Sequence, residues 1–88
     1  MVLTISIDPD PGEVLALYLR IEDGIIHRTV QIEEGECYVD EDSDGRPLGM
    51  EVLVPEHLGV LSEQVAQRYN LPDVPRVMKK VTEQFVHA

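Results

Sequence analysis

The spacing of apolar residues changes once along this chain, near Pro55. Before that point, apolar and polar residues alternate in short segments, which is typical of strands with one buried face. After it, apolar residues recur every three or four positions, as they do along amphipathic helices. The change predicts an α+β fold in which residues 1–55 form a β-sheet part and residues 56–88 form a helical tail.

Five short strands are predicted in the sheet part, separated by turn-forming glycine, proline and aspartate residues. Short connections between successive strands predict an antiparallel β-meander with one apolar face. The positions predicted to point inward are Leu3, Ile5 and Ile7; Leu15, Leu17, Leu19 and Ile21; Ile26, Val30 and Ile32; Cys37 and Val39; and Leu48, Met50, Val52 and Val54.

Two helices are predicted in the tail, over residues 58–69 and 74–85, with a break at Asn70 and Pro72. Asp73 is suited to cap the start of the second helix. An apolar sheet face has to be covered, so we expect the two C-terminal helices to cover it within the same molecule. The alternative is that their apolar stripes form a groove for a partner.

Length and charge limit the possible functions. Eighty-eight residues make a single domain, 1–88, with no room for a second core. Residues 1–55 hold 13 acidic and 3 basic side chains, so they carry the whole net charge of −10, whereas residues 56–88 hold four of each. Such a field repels nucleic acid and attracts a basic protein or a cation.

The chain has neither a long apolar segment nor a leader with a basic start, so we expect no membrane association. Its single cysteine, Cys37, cannot form an internal disulfide, which fits a reducing, cytoplasmic location. Cys37 is expected to be a small core residue.

One segment matches the spacing of a calcium-binding loop. Asp40, Asp42 and Asp44 stand at alternate positions, Gly45 follows, and Glu51 closes the pattern. Carboxylates at these positions can surround a hard cation as the chain turns, so these aspartates and Glu51 are candidate metal ligands.

The surrounding sequence favours another interpretation. An EF-hand loop lies between helices, but this segment lies between alternating, strand-like segments. Pro47 also stands where the EF-hand needs a backbone N–H for pairing with a second loop. A β-hairpin with an Asp-Gly turn explains the same residues.

Other catalytic and cofactor patterns are missing from the sequence. His27, His57 and His87 have no partner at a zinc-ligand spacing, and the glycines stand singly rather than in a phosphate-binding loop. Carboxylates are so numerous that their proximity alone cannot indicate an acid–base site. We therefore expect a protein that is not an enzyme and has no cofactor.

Several segments together resemble a family of short prokaryotic proteins known as domain of unknown function twenty-two eighty-three. The resemblance covers residues 3–54 and rests on Ala16-Leu17-Tyr18-Leu19, Gly24 followed by Thr29, Val39-Asp40-Glu41-Asp42, Gly45, and Gly49-Met50-Glu51-Val52-Leu53. The chain departs from the family at Ile7, where the family has tyrosine, and at Gln31, where it has glutamate.

The resemblance implies a small antiparallel sheet and an antitoxin-like role beside a small toxin-like protein, and it carries over no catalytic residue. Together with the acidic charge, it leads us to expect a protein-interaction module that binds a basic protein or forms a homodimer. The alternative function is binding of calcium or another cation through the Asp40–Glu51 loop.

Overall fold

A computed structural model describes the backbone of residues 1–85 and the side chains of residues 1–84. Phe85 is the last apolar residue predicted for the second helix, and its side chain lies outside this described part, as does His87. The strands are β1 (Val2–Ile7), β2 (Val14–Arg20), β3 (Arg28–Glu33), β4 (Cys37–Glu41) and β5 (Pro47–Val52). A 3₁₀ turn (Pro55–His57) leads into the helices α1 (Leu58–Tyr69) and α2 (Asp73–Phe85). The predicted α+β fold with a five-stranded antiparallel sheet is confirmed.

The strand order corrects the predicted meander. The strands lie in the order β1-β2-β5-β4-β3, and every neighbouring pair is antiparallel. Successive strands pair within the β1-β2 hairpin and within β3-β4-β5, but β2 pairs with β5 instead of β3. Strands β2 to β5 therefore form a Greek key, in which a longer connection carries the chain across the ends of β5 and β4.

This longer connection spans residues 21–27, where the predicted meander required a tight turn between the second and third strands. The backbone N–H of Ile21 and that of Glu22 both donate to the carbonyl of Leu48, and His27 donates to the carbonyl of Glu41. These bonds hold the connection against β5 and β4 instead of allowing it to turn back. As a result Ile26, predicted to point into the sheet, precedes β3 and is 55% exposed.

A β-bulge explains a second difference from the predicted pattern. Ser6 pairs with Ala16 but Ile7 pairs with Val14, so Leu15 is an extra residue on β2. The bulge shifts the alternation by one position: Val14 packs against the core, whereas Leu15 and Ile7 are half exposed. The other inward positions of β2 follow the prediction.

Both helices cover the same face of the sheet. The sheet contributes Leu17, Leu19, Cys37, Val39, Met50 and Val52 to one apolar cluster, and the helices contribute Leu58, Leu61, Val65, Val74, Met78 and Val81. Helix α1 ends where predicted, because Asn70 adopts a left-handed conformation (φ 56°) that stops the helix. The buried thiol of Cys37 confirms its prediction as a core residue.

A buried carboxylate connects the end of α1 to the sheet. Glu41, only 7% exposed, accepts one hydrogen bond from the Tyr69 hydroxyl (2.5 Å) and one from the Arg28 guanidinium (3.0 Å). These bonds, the one from Tyr69 foremost, lower the pKa of Glu41 below its ordinary value despite its burial. The carboxylate therefore stays charged and paired at neutral pH.

A second polar contact joins the β3-β4 turn to the start of α1. Nδ1 of His57 lies 2.5 Å from a carboxylate oxygen of Glu36. The hydrogen bond to Glu36 and its negative charge raise the pKa of His57.

No helix in residues 1–85 combines the length and the apolar character needed to cross a bilayer.

Neighbouring residues on α1 allow a matched test of the core. Leu61 is 2% exposed and Val60 is 65% exposed. Replacing Leu61 with alanine leaves a cavity under the sheet, so we expect Leu61→Ala to lower the free energy of unfolding by about 2–5 kcal/mol. Val60→Ala is expected to change it by less than about 0.5 kcal/mol. Urea denaturation measures both, and equal effects would contradict the packing described.

The His57–Glu36 contact predicts a dependence of stability on pH. Because folding raises the pKa of His57, its stabilisation is complete below the ordinary value of 6.5 and disappears as the pH rises through the higher folded-state pKa. We expect the stability difference between the native protein and His57→Gln to shrink above pH 6.5. Urea denaturation across this range tests it, with His27→Gln as the control. A difference that does not vary with pH would contradict it.

Candidate functional site

Within the described residues, one face of the sheet carries no helix. Because successive side chains of a strand point to opposite faces, the residues that alternate with the buried ones on β2, β4 and β5 point away from the helices. These residues include Tyr18 between Leu17 and Leu19, Tyr38 between Cys37 and Val39, and Glu51 between Met50 and Val52. We call this surface the open face.

Polar and aromatic side chains from four strands meet on the open face. They surround a depression of about 410 Å³ lined by Tyr18, Thr29, Tyr38, Asp40 and Glu51. The sheet order brings them together, because β2, β5, β4 and β3 lie side by side in that order. We call this depression the open-face pocket.

Asp40 organises one side of the pocket. Its two carboxylate oxygens accept hydrogen bonds from different strands, one from the Tyr18 hydroxyl (2.8 Å) and the other from the Thr29 hydroxyl (2.6 Å). Asp40 lies on β4, two strands away from Tyr18, so the tyrosine ring has to extend across β5 to reach it.

Gly49 gives that ring its space. It pairs with Asp40 on one side and with Arg20 on the other, so it lies directly below the path of the Tyr18 ring. A methyl group at position 49 would overlap the Tyr18 hydroxyl and ring. A glycine in the central strand of a sheet weakens the strand, and here close approach of another group accounts for it.

Glu51 occupies the centre of the pocket. On one side it is in register with Tyr18 on β2, and on the other with Tyr38 on β4. Its side chain is exposed, and no side chain among residues 1–84 forms a hydrogen bond or ion pair with it. The hydroxyl of Tyr38 accepts a hydrogen bond from the Gly35 N–H (3.0 Å).

The electrostatics of the pocket favour a cation. Burial, the hydrogen bond to Asp40 and the charge of that carboxylate together raise the pKa of Tyr18 to about 12, so the hydroxyl remains a donor at neutral pH. Two carboxylates, Asp40 and Glu51, therefore dominate the pocket. Arg20 points to the same face and its positive charge acts on Tyr18 as well, although its guanidinium pairs with Asp23 (3.4 Å).

The four predicted metal ligands do not form one cluster in the described part of the chain. Strands, not helices, flank the Asp40–Glu51 loop, and Asp40 and Glu51 point into the open-face pocket. Asp42 instead stabilises the hairpin turn, since one of its carboxylate oxygens accepts from the backbone N–H groups of Asp44 and Arg46 (both 2.9 Å). Within the described residues, no group of three or more His, Cys, Asp or Glu side chains could hold a metal ion.

Cys37 lies outside the pocket and is not activated. It points into the core, where burial raises the pKa of its thiol to about 12. The thiol therefore stays protonated at neutral pH and is a poor nucleophile.

A larger groove lies between the helices but offers less specific chemistry. It measures about 540 Å³ and is lined by Gly59, Ser62, Glu63, Pro75, Arg76, Lys79, Thr82 and Glu83. Its charged residues are balanced in sign, and its polar side chains are not organised around one group as those of the open-face pocket are. We therefore place the candidate site on the sheet.

Comparisons of the chain with protein-family models, with curated proteins and with solved structures found no match. The resemblance to the twenty-two eighty-three family therefore stays a prediction. Among the residues that carry it, Tyr18, Thr29, Asp40 and Glu51 line the pocket and Gly49 lies beneath the Tyr18 ring, whereas the fifth lining residue, Tyr38, is not one of them.

The sequence did not identify the pocket as a site. Alternation predicts that Tyr18 points to the face away from the apolar side chains of β2, but no feature of the local sequence indicates that β2 pairs with β5. Tyr38 carried no signal beyond its position between two inward residues. A usable signal was the glycine within the alternating segment of β5, because a strand glycine often marks a close approach by another group.

The contact between Tyr18 and Gly49 can be tested with a double-mutant cycle. We expect Gly49→Ala to lower the free energy of unfolding by about 1–3 kcal/mol, because the added methyl group displaces the Tyr18 ring. In a Tyr18→Ala background the same substitution has room and is expected to cost much less. Urea denaturation of the four proteins gives the coupling. Equal costs in both backgrounds would show that Tyr18 does not lie over Gly49.

Proposed function

We propose that this protein is a non-enzymatic interaction module whose open face binds a positively charged segment of a partner protein. The observation that carries the proposal is the open-face pocket itself, in which an exposed carboxylate, Glu51, stands between two tyrosines on a surface that the helices leave uncovered. Tyrosine is enriched at protein interfaces because its ring provides contact area and its hydroxyl a polar group.

Charge favours a basic partner over a second copy of the chain. A homodimer through this face would bring Asp40 and Glu51 of two molecules close together, and juxtaposed like charges disfavour association. The imbalance of 13 acidic to 3 basic side chains over residues 1–55 also attracts a basic segment from a distance. The family resemblance suggests a small toxin-like protein as such a partner, which would give this chain an antitoxin-like role.

The sheet edges offer additional contact. Strands β1 and β3 are the edge strands, and each has backbone groups on its outer side that no other strand pairs within the described residues. A partner segment bound on the open face can extend beyond the pocket to either edge.

The proposal predicts that binding depends on Glu51 specifically and not on net charge alone. We expect Glu51→Gln to weaken binding of a basic peptide about three- to tenfold, because it removes a charge-assisted hydrogen bond. Glu63→Gln makes the same change in charge at an exposed position of α1 and serves as the control. Fluorescence anisotropy with labelled basic peptides, at fixed ionic strength, measures the affinities.

Two outcomes would contradict this proposal. Equal weakening by the two substitutions would mean that the chain attracts cations only through its net charge. A homodimer seen by light scattering, and dissociated by Glu51→Lys, would assign the open face to a second copy instead of a basic partner.

A further inference from the structure

The position of Glu51 between two tyrosines restricts which kind of partner side chain can bind to it. Residues directly opposite one another in neighbouring antiparallel strands have Cβ atoms only about 4.5–5.5 Å apart. Tyr18 and Tyr38 are both opposite Glu51, on its two sides. A group that binds the carboxylate of Glu51 therefore lies close to both tyrosines.

The two rings are held before any ligand binds. The Tyr18 hydroxyl is bonded to Asp40 with its ring over Gly49, and the Tyr38 hydroxyl is bonded to the Gly35 N–H. Both side chains are half-buried and line the pocket. Because their hydroxyls are already bonded, binding orders little that is not ordered already, and this favours affinity.

The two carboxylates of the pocket differ in availability. Each oxygen of Asp40 already accepts a hydrogen bond, one from Tyr18 and one from Thr29. Glu51 has no such partner among the side chains of residues 1–84. Glu51 can therefore offer both oxygens to one ligand, while Asp40 positions Tyr18 and adds negative charge.

We propose that the open-face pocket selects an arginine side chain of the partner, with its guanidinium paired to Glu51 and stacked on Tyr18 or Tyr38. A guanidinium is planar, so it can donate two parallel hydrogen bonds to one carboxylate while its face lies on an aromatic ring. A lysine ammonium is a compact, strongly hydrated charge that lacks this geometry. This inference rests on the proposed function and specifies the chemistry that its partner has to supply.

Alternative occupants fit the pocket less well. A calcium ion requires six to eight oxygen ligands, whereas Glu51 is the one carboxylate here without a partner among residues 1–84. A phosphate or an acidic peptide would be repelled by Asp40 and Glu51. A purely apolar side chain would remove Glu51 from water without giving it a hydrogen bond, which is unfavourable.

The test uses two peptides that are identical except that one carries arginine where the other carries lysine. We expect the native protein to bind the arginine peptide about two- to fivefold more tightly, because a guanidinium can stack on a ring while pairing with Glu51 through two hydrogen bonds and an ammonium cannot. Tyr38→Leu removes an aromatic face and is expected to reduce this preference, whereas Tyr38→Phe keeps the ring and is expected to retain it. Fluorescence anisotropy gives the affinities, and NMR shifts at Glu51 and Tyr38 locate the binding.

The outcomes separate this inference from the proposed function. If both peptides bind equally well and Glu51→Gln weakens both, the open face still binds basic segments, but the selection of arginine is wrong. If neither peptide binds, or if Glu51→Gln has no effect, the proposed function fails as well. A preference for arginine that survives Tyr38→Leu and Tyr18→Leu would show that stacking does not contribute.

Discussion

The alternation of side chains along β5 connects the core of this molecule to its surface. Met50 and Val52 point toward the helices and are fully buried, while Gly49 and Glu51 point to the open face. Because β5 lies at the centre of the sheet, its inward residues contact the middle of the core and its outward residues lie between the tyrosines of its neighbours. A shift of β5 by one residue would place Glu51 in the core and Met50 in water, so packing also determines the geometry of the pocket.

The Greek key puts β5 in that position. In a simple meander β5 would be an edge strand, and Glu51 would have a neighbour on one side only. Insertion of β5 between β2 and β4 gives it a neighbour on each side and places Tyr18 within reach of Asp40. The strand order that corrects the predicted meander therefore also creates the site.

Periodicity in the sequence correctly predicted those parts of the fold that depend on local spacing. The strands, the two helices and their break at Asn70 follow from apolar residues that recur at two or at three to four positions. Strand order does not, because pairing between β2 and β5 joins residues distant in sequence. The bulge at Leu15 and the exposure of Ile26 could not be predicted from local spacing either. The bulge depends on the pairing of β2 with β1, and the position of Ile26 depends on backbone hydrogen bonds from residues 21–27 to β5 and β4.

Two residues of the candidate site are ones that a central strand does not favour. A glycine in a central strand weakens that strand, and a charged residue on a surface between two rings adds nothing to the core. Proteins keep such residues where function requires them, at some cost in stability. Gly49 and Glu51 lie two positions apart on the same strand, one making room for Tyr18 and the other facing it. For the binding role we propose, the two residues are complementary, because one allows the Tyr18 ring to be positioned and the other leaves a carboxylate available.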